Sequence, residues 1–156
     1  MAIANRMRDA KALRATRLGI PVERATAALP QTTQSALFTV TGGRVLLTAI
    51  IGEVTTVIQT QANNTKIVSN PTTGTDVDLC GVLSISADEV GTLYGITGTF
   101  SDAMVGANAG ATVIPDRPVV VAAGTIDLSC AASNTGSVKW ALFYLPIDDG
   151  AYVTAA

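Results

Sequence analysis

From Ala36 onward the chain is a series of short apolar runs broken by turn-forming residues. The runs "ALFTVT", "RVLLTAII", "EVTTVIQT", "TKIVS", "DVDLCGVLSIS", "LYGITGTF", "PVVVAAG", "TIDLSCAAS" and "SVKWALFYLPI" are rich in Val, Ile, Thr and aromatic residues. Between them stand "TGG", "NPTTGT", "GANAGA", "PDRP", "SNTGS" and "DDG". Strand-length runs at this spacing, with no helical period between them, predict an all-β antiparallel sandwich, jelly-roll-like in its winding.

Two runs show the period of two directly. In "TIDLSC", Ile126, Leu128 and Cys130 share one face, while Thr125, Asp127 and Ser129 share the other. In "SVKWALFYLP", Val138, Trp140, Leu142 and Tyr144 alternate with Lys139, Ala141, Phe143 and Leu145. The second half of that strand is apolar on both faces, so it belongs at the centre of a sheet or under a neighbouring subunit. Phe143 and Leu145 are its candidate interface residues. "SNTGS" offers Asn134 and Gly136 for a hairpin turn, which predicts that the strands on either side pair with each other.

The first thirty-five residues have a different texture. Residues 5–18 suit a helix, with Met7, Ala10 and Leu13 forming a thin apolar stripe among basic residues. Gly19 and Pro21 end it. "VERATAALPQTTQS" then reads as an extended connector, giving an N-terminal arm over residues 1–35 and a β body over residues 36–156. Thirty extended residues span about 100 Å, so such an arm reaches surfaces the body does not.

Charge sharpens this division. Residues 1–24 carry six basic side chains (Arg6, Arg8, Lys11, Arg14, Arg17, Arg24) against Asp9 and Glu23, a net +4. The remainder carries Arg44, Lys66, Arg117 and Lys139 against ten acids, a net −6. A basic end on an acidic body marks an interaction tail. The whole chain of 156 residues is 14% charged, where about 25% is usual, and 48% hydrophobic, with 21 Thr supplying much of its polarity. A body so poor in charge is expected to cover part of its surface with copies of itself or another protein.

Candidate chemistry is sparse. The chain has no His, which removes the commonest general base and metal ligand, and every Ser–His or Cys–His dyad. Cys80 and Cys130 lie in strand-like runs and read as small buried hydrophobes. "GANAGA" lacks the Lys–Ser/Thr ending of a phosphate loop. The carboxylate pairs Asp76/Asp78 and Asp148/Asp149 read as a solvated strand edge and a polar turn, and no calcium-loop pattern surrounds them. The aromatics Trp140, Phe143 and Tyr144 read as core rather than as a sugar-binding platform. No cofactor or metal is expected. No run approaches the roughly 18 apolar residues of a membrane span, so no membrane partner is expected either.

The arm with the stretches "ALFTVTGGRVLLTAIIGEVTTVIQTQANNTKI" and "VVVAAGTIDLSCAASNTGSVKWALFYLPIDDGA" resembles the decoration (cement) and related head proteins of tailed bacteriophages. The resemblance lies in texture and carries no residue role across. It implies a non-enzymatic virion protein, made in the host cytoplasm and bound to the capsid exterior, with the major capsid protein as partner. It also implies self-association, a homotrimer first and a dimer next. On this reading Arg6, Met7, Arg8, Lys11, Leu13, Arg14, Arg17 and Arg24 form a docking strap for an acidic lattice. The rivals are a shell-forming coat protein whose arm holds nucleic acid, and a fibre module that binds receptors through loops such as "QANNTK". The strap has no aromatic residue, contains two acids and carries an apolar stripe, which makes nucleic acid the less expected partner.

Overall fold

The computed structural model describes residues 10–156. Among the described residues it contains one helix, α1 (Ala10–Leu18). Eleven strands follow: β1 (Ile20–Ala28), β2 (Gln34–Thr41), β3 (Val45–Thr56), β4 (Asn64–Pro71), β5 (Val77–Asp78), β6 (Leu83–Ser84), β7 (Leu93–Tyr94), β8 (Val119–Val121), β9 (Gly124–Cys130), β10 (Ser137–Pro146) and β11 (Tyr152–Ala155). They form two sheets, and every pairing between strands is antiparallel. The first sheet has the order β1-β10-β3-β7, with β8 also on β3. The second has the order β11-β2-β9-β4-β5, with β6 also on β4. Val45, Leu47, Ile50 and Trp140 from the first sheet share one buried cluster with Phe38, Val40, Ile67 and Leu128 from the second. The body is thus the expected all-β sandwich.

Of the two faces of β10, the one carrying Val138, Trp140, Leu142 and Tyr144 is buried in this core. As its apolar second half demands, β10 lies between two neighbours, β1 and β3. Trp140 sits over Gly52 of β3, where an added Cβ would come within 2.8 Å of the indole ring. Tyr94 of β7 stacks on the same indole at a centroid separation of 6.3 Å. The Tyr94 hydroxyl donates to Asp88 Oδ2 at 2.6 Å, and Asp88 Oδ1 accepts the Asn108 amide at 2.8 Å. This buried network ties the long β7–β8 connection to the sandwich.

Two expectations need correction. The stretch read as an extended connector contains β1, which pairs with β10 from Ile20↔Tyr144 to Ala28↔Ser137. The sheet therefore starts at Ile20, not at Ala36, and the arm ahead of it is shorter than 35 residues. An edge strand is the position where a Pro is tolerated, and a bulge between Arg24 and Ala27 breaks the alternation. Both features hid the strand in the sequence. Val22, opposite Leu142, packs against the core, and Leu29 just beyond β1 is part of it.

The second correction concerns "SNTGS". The strands flanking it do not pair: β9 lies in the second sheet and β10 in the first. The segment is an arch across the sandwich, and Asn134 is buried at its centre. The Asn134 side-chain amide donates to the carbonyls of Gln59 at 3.1 Å and Gln61 at 2.8 Å. Gly136 takes a φ of 131°, and an added Cβ would lie 3.0 Å from Ile58, so only Gly passes here without strain. A polar side chain that satisfies backbone carbonyls stabilises a crossing as readily as a tight turn, and the sequence motif is the same for both.

The place of β1 fixes where truncation is tolerated. A chain beginning at Gly19 should fold and melt as the full chain does. A chain beginning at Gln31 loses β1 and uncovers the β10 edge. The lost burial of Leu29 and of half-buried Val22 alone amounts to roughly 2–4 kcal/mol, so its melting temperature in a circular dichroism scan should fall by about 5 °C or more.

Candidate functional site

The basic helix is mounted on the outer face of the first sheet. Its C-terminal joint is closed by three contacts. The Gly19 amide donates to the Ala15 carbonyl at 3.0 Å, and the Thr48 hydroxyl of β3 donates to the Leu18 carbonyl. Gly19 itself has a φ of 88°, and a Cβ there would meet the Tyr144 carbonyl oxygen at 2.2 Å. No other residue fits that turn, so the angle at which α1 leaves the body is built into the backbone.

Beyond this joint the helix covers almost nothing. None of its nine residues is buried, and Leu13 is 46% exposed. Lys11, Arg14 and Arg17 are exposed, and Arg17 stands in the last turn, where a cation meets the negative end of the helix dipole. Neither Arg14 nor Arg17 takes part in the ion pairs found among the described residues. Arg6, Met7 and Arg8 lie outside the described residues. Arg24 does not belong with the strap: it is part of β1, opposite Trp140, and its Nε donates to the Ala156 carbonyl at 3.2 Å.

Phe143 and Leu145 both point outward from β10, yet they differ. Phe143 is only 8% exposed while lying outside the shared core cluster, and Ala49, its partner on β3, is buried in the same way. Leu145 is 44% exposed. It pairs with Leu46 of β3, which pairs in turn with Val120 of β8, itself 56% exposed. Ile147, two residues past Leu145, is 42% exposed. An apolar row thus crosses three strands on the outer face, beginning beside the helix joint. Leu46, Val120 and Ile147 are easy to miss in the sequence, because they fall in runs that are apolar on both faces.

A charged latch borders this row. Arg44 Nη2 and Nε donate to the two oxygens of Asp148 at 2.7 and 3.0 Å, and the Arg44 backbone amide adds a third bond at 2.7 Å. These bonds hold the Asp148 carboxyl down at about 2, below its ordinary 3.8. The latch ties the β2–β3 turn to the β10–β11 turn, with Asp149 exposed beside it.

The other candidates are occupied by structure. Asp76 accepts a bond from Gln34 at 3.0 Å, and Asp78 pairs with Lys66 at 2.6 Å. Cys80 and Cys130 are free and buried, and burial pushes both thiols up, away from the thiolate form. A cleft of about 330 Å³ opens beside β1, with Trp140 and Leu29 among its walls. Its one charged side chain, Arg24, is the one bonded to Ala156. No group of three or more metal-ligating side chains occurs among the described residues. No helix among them is long and apolar enough to cross a membrane. No family model, curated protein or solved structure matches the chain.

The latch has a pH signature. Asp148 has a folded value depressed from 3.8 to about 2, so its stabilisation is present above pH 4 and is lost as pH falls toward 2. Acid unfolding of Asp148→Asn should therefore lack a component between about pH 4 and 2 that the wild type shows. Identical acid profiles for the two proteins would contradict this.

Proposed function

We propose that this protein is a non-enzymatic virion component, a decoration or cement protein held on the outer surface of a tailed-phage capsid. Its partners are the major capsid protein and further copies of itself, a trimer first and a dimer next. Its sandwich is wound in the jelly-roll manner, and its N-terminal arm bridges neighbouring subunits. The observation that carries this reading is the mounting of α1. A basic helix buries none of its residues and is held at a fixed angle on a charge-poor β body.

The energetics favour such a role over a solitary one. Each exposed ion pair is worth only about 0–1 kcal/mol, so one arm binds weakly. Several arms on one oligomer, meeting a lattice of identical sites, multiply those small terms. Leu13 adds an apolar contact that a purely electrostatic tail lacks.

Capsid co-sedimentation tests the reading. A chain beginning at Gly19 should stay folded and lose capsid binding. Arg14→Glu with Arg17→Glu should weaken binding about tenfold or more, and Leu13→Asp should weaken it by a similar factor, because a docked helix buries its stripe. If the arm instead serves a coat protein that holds nucleic acid, Leu13→Asp should be mild. The arginine changes should then abolish nucleic-acid retention with a steep salt dependence. Purified protein with a high 260/280 absorbance ratio that falls on removal of the arm would overturn the decoration reading.

A further inference from the structure

We infer that α1 of one copy seats on the outer face of the first sheet of a second copy, with Leu13 on the row Leu145–Leu46–Val120. Two unpartnered apolar elements lie next to each other in this fold. The row crosses β10, β3 and β8 on the outward face. The helix leaves the body beside the start of that row, since a Cβ on Gly19 would fall 2.8 Å from Leu145 Cδ2. Each leaves in water an apolar surface that the other can cover.

The helix does not fold back onto its own row. Gly19, packed against the Tyr144 carbonyl, and the Thr48–Leu18 hydrogen bond fix its exit angle, and at that angle Leu13 remains 46% exposed. A second copy removes the constraint, because its row is free to approach from outside. The charges agree with this partner. Arg17, one turn on from Leu13, shares its side of the helix, whereas the end of the row carries Asp148 and Asp149 against Arg44, a net −1. Although Arg44 stands there, the helix meets a row end and a body that are both net acidic.

The contact joins two different surfaces, helix to sheet face. Exchanged reciprocally between two copies it makes a symmetric dimer, and repeated head to tail it makes a ring where the rotation closes. The inference rests on the proposed function only in taking the arm as a bridge between subunits. It supplies the landing surface of that bridge, which is another copy of this chain.

The test uses the full chain without capsid. Leu13→Cys and Val120→Cys are purified separately, mixed and mildly oxidised. Both positions are exposed, while the native cysteines are buried. The mixture should yield a disulfide-linked dimer whose peptide map joins positions 13 and 120, well above either variant alone. Sedimentation equilibrium should show a wild-type oligomer whose dissociation constant rises about tenfold or more with Leu13→Asp, Leu145→Lys or Val120→Glu. Far-UV circular dichroism verifies that each variant is folded. A wild-type monomer at about 100 µM, well above the range of a specific assembly, overturns the inference. So does an oligomer that survives Leu13→Asp and gives no 13–120 link. If the link forms and capsids are not bound, the decoration reading fails alone. If capsids are bound through the arm and no link forms, the inference fails alone.

Discussion

The structure depends on the packing of Trp140 onto Gly52. An indole lies where no side chain on β3 leaves room, so β10 and β3 are held in a single register by shape. A shift of one residue would turn Trp140, Leu142 and Tyr144 outward together, because side chains alternate strictly along a strand. Tyr94 closes over the other side of the ring, and its hydroxyl is anchored on buried Asp88. Burial and that carboxylate raise the phenol far above its ordinary value, so it stays a hydrogen-bond donor at any physiological pH. One aromatic contact thus connects the central strand, its neighbour and the long β7–β8 loop.

That register also decides what stands on the outer face. With Leu142 and Tyr144 committed inward, Phe143 and Leu145 must point out. The Tyr144 carbonyl is then left facing Gly19, which sets the helix angle. The angle of the basic helix therefore follows from the core packing beneath it. A helix joined through a flexible run of glycines would lose conformational entropy on docking. A helix fixed by one glycine and one threonine hydrogen bond has already lost part of it in the folded chain, so less of the contact energy would be offset in the proposed docking.

Much of the sandwich was legible because its strands obey the period of two where burial is one-sided. The two alternating faces of β9 and β10 could be read residue by residue, and the central place of β10 followed from its apolar second half. What escaped was decided by tertiary context. Pro21 and a bulge disguised β1, since an edge strand needs neither a complete ladder nor a clean alternation. Asn134 and Gly136 carry the composition of a hairpin turn, yet they span the two sheets, because local chemistry does not specify which partner the next strand will find. The basic segment was legible as charge, but only the fold separates Arg14 and Arg17, exposed on the helix, from Arg24, bonded at the sheet edge. The row from Leu145 through Leu46 to Val120 joins residues far apart in the chain, and pairing alone brings them together.

The separation of charge within the chain has a physical consequence for assembly. An acidic body repels its own copies at long range, by an amount that salt at 0.15 M screens over about 8 Å. Cations placed on a projecting helix reverse that sign locally without neutralising the body. In the proposed contact, copies attract only when helix and sheet face meet in one orientation, and the apolar row adds its contribution only at that distance. Repulsion elsewhere and attraction at one site together suppress random aggregation of a body that is so poor in charge. Under the same proposal, Leu145, Val120 and Ile147, exposed on a chain that is 48% hydrophobic, are the surface that the helix of a second copy covers.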